Sequence, residues 1–99
     1  MDIKKIHHVA IICSNYQKSK QFYVDILGFK IIRETWRQDR KSYKLDLSVG
    51  KNDQIELFSF PSPPKRQTQP EAQGLRHIAL EVEDLYNASI NPHRELKNG

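Results

Sequence analysis

The feature that most constrains this chain is that it states one pattern twice. The opening Lys5-Ile6-His7-His8-Val9-Ala10-Ile11-Ile12-Cys13-Ser14-Asn15-Tyr16 returns as Gly74-Leu75-Arg76-His77-Ile78-Ala79-Leu80-Glu81-Val82-Glu83-Asp84-Leu85. Placing His8 on His77 aligns Ile6 with Leu75, Val9 with Ile78, Ala10 with Ala79, Ile11 with Leu80 and Cys13 with Val82, without a gap. In each copy an alternating apolar run ends in polar residues that can open a helix, so each reads as strand followed by helix start. Side chains alternate across a strand, which puts His8, Ala10 and Ile12 on one face and Val9, Ile11 and Cys13 on the other. Each copy therefore shows one histidine on the face opposite its most apolar stripe.

Between the copies the sequence supplies the rest of one module. Asn15 or Ser14 caps a helix expected over Tyr16 to about Leu27, with Tyr16, Phe22, Tyr23, Ile26 and Leu27 inward and Gly28 as the stop. Phe29 to Trp36 is rich in β-branched and aromatic residues and reads as a second strand, followed by a polar loop over 37–41. Tyr43, Leu45, Leu47 and Val49 alternate with Lys44, Asp46 and Ser48 in a third strand. Gly50-Lys51-Asn52-Asp53 turns the chain, and Gln54 to Phe60 returns antiparallel as a fourth. The expectation is an α+β fold: a βαβββ module over 1–60, a connector over 61–74 and the start of a second module over 75–99. The connector holds Pro61, Pro63, Pro64 and Pro70 and lacks apolar periodicity. The second module is expected to contain a strand over Leu75 to Val82 and a helix from about Leu85 towards Leu96, interrupted or restarted near Pro92.

Composition narrows the function. A chain of 99 residues allows at most one small domain. No apolar run approaches the ~20 residues that span a bilayer, and no apolar segment follows Lys4-Lys5 as in a secretory signal. The default expectation is a cytoplasmic protein with no membrane partner. The single cysteine, Cys13, excludes an internal disulfide framework and a multi-cysteine zinc site, and its place on the apolar face reads as a small buried hydrophobe. The net charge of +4 is dispersed, without a basic run or nucleic-acid motif, so no nucleic-acid partner is expected.

Glu56 stands between Ile55 and Leu57, on the strand face shared with Gln54, Phe58 and Phe60, where a carboxylate needs a reason. If the two copies pack about a pseudo-twofold axis, His8, Glu56 and His77 converge between them. Two imidazoles and a carboxylate suit a divalent first-row ion such as Zn, Ni, Co, Mn or Fe(II), with positions left open for water or substrate. The alternative for Glu56 is an ion pair with Arg33, Arg37 or Arg76. His7 faces away from His8 by strand alternation, and His93 in the terminal helix reads as solvated. Trp36, Phe58 and Phe60 either wall a pocket or pack in the core, and the same three arginines either hold an anionic substrate or lie at the surface.

Four stretches carry a family resemblance: Ile6-His7-His8-Val9-Ala10-Ile11, Ser19-Lys20-Gln21-Phe22-Tyr23-Val24-Asp25-Ile26-Leu27-Gly28-Phe29, Ile55-Glu56-Leu57-Phe58 and Gly74-Leu75-Arg76-His77-Ile78-Ala79-Leu80-Glu81-Val82. In this combination and order the chain resembles the vicinal oxygen chelate superfamily of glyoxalase I, bleomycin resistance proteins and extradiol dioxygenases, and most of all its small bacterial glyoxalase-like members. The resemblance implies metal ligands at His8, Glu56 and His77, and a fourth, a glutamate late in the second module, that maps onto no residue here. That glutamate is also implied to move a proton beside a carbonyl, so no catalytic residue is assigned. A ligand glutamate in the first module resembles glyoxalase-type or resistance-type sites rather than ring-cleaving dioxygenases.

The implied function is a metal-dependent glyoxalase-like lyase or isomerase acting on a small oxygen-bearing substrate, expected as a homodimer and impaired by a truncated second module. The alternatives are a non-catalytic, resistance-type small-molecule binder of the same fold, or an inactive fragment whose unpaired second-module strand drives self-association.

Overall fold

The computed structural model describes residues 1–83. Residues Met1–Pro63 form one compact unit, and the described residues from Pro64 belong to a second. The first unit runs β1 (Val9–Ile12), α1 (Tyr16–Lys20), a π-helical continuation over Gln21–Ile26, β2 (Lys30–Arg37), β3 (Ser42–Val49) and β4 (Asp53–Phe58). This is the expected βαβββ order. The four strands form one sheet in the order β1-β4-β3-β2, with β1 parallel to β4 and the other neighbours antiparallel.

Local signals explain the boundaries. Asn15 Oδ1 accepts the Lys18 amide at 3.1 Å, so Asn15 rather than Ser14 caps α1. The helix then widens, with the Leu27 amide donating to the Phe22 carbonyl at 2.9 Å. That five-residue step turns Ile26 off the inward face expected from regular α-helical spacing, and it is 45% exposed. Gly28 takes φ +78, a left-handed conformation that side chains oppose, and ends the helix.

Alternation in β3 and β4 decides which face is buried. Leu45, Leu47 and Leu57 are fully buried, joined by Ile11, Cys13, Tyr16, Tyr23 and Ile55. Burying an aliphatic side chain of this size contributes roughly 1.5–3 kcal/mol. Tyr16 docks α1 on this face, its ring stacked on Tyr43 at 5.1 Å and its hydroxyl donating to Glu34 Oε2 at 2.6 Å. Trp36 is the register partner of Tyr43, with the two rings 4.7 Å apart. It therefore belongs to the helix-covered face, whereas Phe58 and Phe60 stand on the other; the three do not wall one pocket.

The second module departs from expectation. Residues 75–82 form neither strand nor helix. An alternating run becomes a strand only where a neighbouring edge receives its amides and carbonyls, and among the described residues no second-module strand offers one. The helix expected from about Leu85, together with Pro92 and His93, lies outside the described residues. In the second unit the Arg66 guanidinium donates to the Leu75 carbonyl.

Candidate metal-binding face

The sheet face opposite α1 gathers the polar residues of the first unit. Strand register arranges them in rows. Ala10, Glu56, Asp46 and Arg33 are successive partners across β1, β4, β3 and β2, and Ile12, Phe58, Lys44 and Thr35 form the next row. Opposed residues share a face, and His8, just ahead of β1, brings its ring over the same surface as Glu56.

There His8 Nε2 lies 3.4 Å from Glu56 Oε2. The imidazole is 42% exposed and the carboxylate only 12%. Two donors bonded to one tetrahedral ion at 2.0–2.2 Å stand about 3.4 Å apart. The pair thus has the spacing of neighbouring ligands, and an imidazole nitrogen with a carboxylate oxygen suits a divalent first-row ion. On the far side of the His8 ring, Nδ1 lies 3.0 Å from His7 Nδ1, with the two rings nearly perpendicular. One of these nitrogens must donate and the other accept. When His8 Nδ1–H is the donor, the Nε2 lone pair is free to face a cation beside Glu56. His7 and His8 precede β1, so strand alternation does not separate their side chains; the expectation that His7 faces away is corrected, and its ring is the neighbour that can fix the His8 tautomer.

The face holds two further groups that sequence reasoning passed over. Lys44 Nζ stands 3.9 Å from Glu56 Oε2 and 3.5 Å from Asp46 Oδ1. Asp46 Oδ1 is buried without a hydrogen bond among the described residues, so Lys44 meets it at ion-pair distance but not in hydrogen-bond alignment. The period-two pattern of the third strand already put Lys44 and Asp46 on a common face. What the sequence did not provide was the β3–β4 register that sets Asp46 opposite Glu56. The alternative expectation for Glu56 is corrected here: its ionic neighbours are His8 and Lys44, not Arg33 or Arg37. Arg76 belongs to the second unit.

His77 is exposed and also lies in the second unit, where it lines a concavity with Arg66, Glu71 and Arg76. Among the described residues no three His, Cys, Asp or Glu side chains gather into one metal-binding group. Cys13 is buried on the opposite face, and burial pushes its thiol pKa up, so it remains a protonated packing group.

The face is bounded by aromatic rings. Phe58 and Phe60 stack at 6.0 Å, and the Arg37 guanidinium lies 4.9 Å above Phe58. No helix among the described residues is long and apolar enough to cross a membrane.

Comparisons with known proteins agree with this architecture. The model of the Glyoxalase/Bleomycin resistance protein/Dioxygenase superfamily matches residues 5–90. The uncharacterized protein YwkD of Bacillus subtilis (strain 168) is 59% identical over 95 residues, covering 96% of this chain and 74% of that protein. The uncharacterized protein YaeR of Escherichia coli (strain K12) is 51% identical over 85 residues, covering 86% of this chain and 66% of that protein. The crystal structure of a glyoxalase family protein from Enterococcus faecalis superposes with a TM-score of 0.77 at 48% identity, covering 87% of this chain and 68% of that one.

Proposed function

The chain belongs to the glyoxalase/bleomycin resistance protein/dioxygenase superfamily, and from that premise we propose that it serves a metal-dependent lyase or isomerase reaction of glyoxalase type on a small substrate bearing two neighbouring oxygens. The observation that carries this reading is the 3.4 Å separation of His8 Nε2 and Glu56 Oε2, the spacing of two donors on one ion. His77 is proposed as the third donor. A divalent ion such as Zn, Ni, Co, Mn or Fe(II) would supply polarisation of the substrate oxygens and compensation of the negative charge that develops on them.

The chain's own residues do the rest. His7 Nδ1 accepts the His8 Nδ1–H and so holds the tautomer that leaves Nε2 free. Lys44 stands within ion-pair distance of both Glu56 and Asp46, which oppose each other across β4 and β3, and offsets their charge. Phe58 and Phe60 shield one side of the face from water. The role proposed for these residues is to bind and orient. The protein is proposed to act in the cytoplasm as a homodimer, a second copy covering the open sheet face.

The test uses the cobalt-loaded chain and a simple α-hydroxyketone, followed by proton relaxation of the small molecule. Enhanced relaxation that disappears with a chelator and in Glu56→Ala is expected. Binding that persists unchanged after chelation would favour the non-catalytic binding protein instead.

A further inference from the structure

Arg37 is a cation without a carboxylate within ion-pair distance among the described residues, although it stands on the same face as Glu56. Its register partner is Ser42, whose Oγ accepts from Arg37 Nη2 at 3.1 Å. The guanidinium carbon sits 4.9 Å from the Phe58 centroid and 5.7 Å from that of Phe60. Arg40, in the turn after β2, covers Phe60 from 5.2 Å. Arg37 Nε is closed off from solvent and has no acceptor among the described residues. A buried guanidinium N–H normally has a partner, and this one has none among the described residues.

Rows of the sheet lie about 7 Å apart along the strands. Phe58 is one row beyond Glu56, and the Arg37 head reaches back over it. Between them, Lys44 is already engaged with Asp46 and Glu56. Arg33, in the row of Asp46 and Glu56, likewise has no ion pair among the described residues, but Arg37 and Arg40 are the cations set over the Phe58–Phe60 rings, about one to two rows from Glu56.

We infer that Arg37, supported by Arg40 over the Phe58–Phe60 platform, forms an oxyanion subsite, and that the substrate carries a carboxylate or phosphate at the end remote from its two neighbouring oxygens. A planar fork held by Ser42 and backed by a ring surface is suited to such a group, since the guanidinium donates two parallel hydrogen bonds and the ring excludes competing water. The substrate assignment rests on the metal-site reading above; the anion subsite itself does not.

The experiment is a titration of the metal-free, 15N-labelled full chain with inorganic phosphate, and separately with acetate, at constant ionic strength, reading arginine Nε–Hε signals. One signal, identified by its loss in Arg37→Lys, is expected to shift saturably with at least one of the two anions, and the tighter one identifies the group. The accompanying saturable shifts of the neighbouring backbone amides should weaken about tenfold or more in Arg37→Gln and about threefold in Arg40→Gln, with the amide spectra otherwise retained. Glu56→Gln should leave anion affinity within about twofold. A response spread evenly over all arginines, or unchanged in Arg37→Gln, would mean that Arg37 merely covers Phe58. If Glu56→Gln also left metal occupancy unchanged, the proposed function would fail while the subsite stood.

Discussion

Glu56 stands directly opposite Ala10 in the parallel pairing of β4 with β1, and this register brings His8 Nε2 to 3.4 Å from Glu56 Oε2. Two residues far apart in the chain thus meet through backbone pairing. The site is as secure as that register, and the register is held by what lies beneath it.

Leu57, fully buried next to Glu56 and paired with Ile11 and Leu45, is the first place to test that support. Leu57→Ala is expected to destabilise the chain by about 2–5 kcal/mol, the usual cost of emptying a core leucine site. Urea denaturation followed by circular dichroism measures it. A loss below about 1 kcal/mol would place Leu57 outside the supporting core.

His7 is expected to tune metal affinity without being a ligand. His7→Ala should weaken zinc or cobalt binding about tenfold or more by releasing the His8 tautomer, with stoichiometry preserved, as competition with a chromophoric chelator would show. His7→Gln, whose amide oxygen can accept the same proton, should recover part of the loss. Equal loss in both variants would leave no role for the Nδ1 contact.

Glu34 ties α1 to β2. Hydrogen bonds from Tyr16 and then Lys20 hold its carboxyl below the ordinary carboxylate range. A depressed folded-state pKa stabilises the fold above the ordinary carboxylate value, and that contribution is lost as pH falls towards the lower folded-state value. Tyr16→Phe should therefore cost about 1 kcal/mol near neutrality, a figure reduced for the exposure of the group, and the deficit against wild type should shrink in acid. Urea midpoints across an acid series would reveal a constant difference if the carboxylate played no part.

Cys13 is 3% exposed, and burial raises its thiol pKa. Alkylation of the folded chain should be orders of magnitude slower than that of the urea-unfolded chain and should accelerate in Leu57→Ala, because reaction waits on opening. Immediate stoichiometric labelling of the native chain would contradict this packing.

Legibility in the sequence followed the length scale of each interaction. The alternation of Tyr43 to Val49, the Asn15 cap and the Gly28 stop act within a few residues, and they located the helix start and the third and fourth strands. Face assignment within a strand was equally local, which is why Glu56, Phe58 and Phe60 were correctly grouped. Trp36 was harder, because its face is fixed by pairing with Tyr43 across the hairpin and by a register shift between Ile31 and Arg33. The π-helical widening at Gln21–Ile26 has no short-range signature in these residues, and it moved Ile26 outward. Lys44 escaped notice since its importance comes from an ion-pair geometry that only the β3–β4 register creates. The run 75–82 shows the limit of periodicity, which names a candidate strand but not the edge it needs.

The central claim is that His8 and Glu56, joined by His77, hold one divalent ion. Elemental analysis of the purified chain, paired with native mass measurement, tests it most directly. One zinc, nickel, cobalt, manganese or iron ion per site is predicted in the wild type, with occupancy collapsing in Glu56→Ala and in His77→Ala while circular dichroism stays unchanged. The same occupancy in all three proteins would contradict the account.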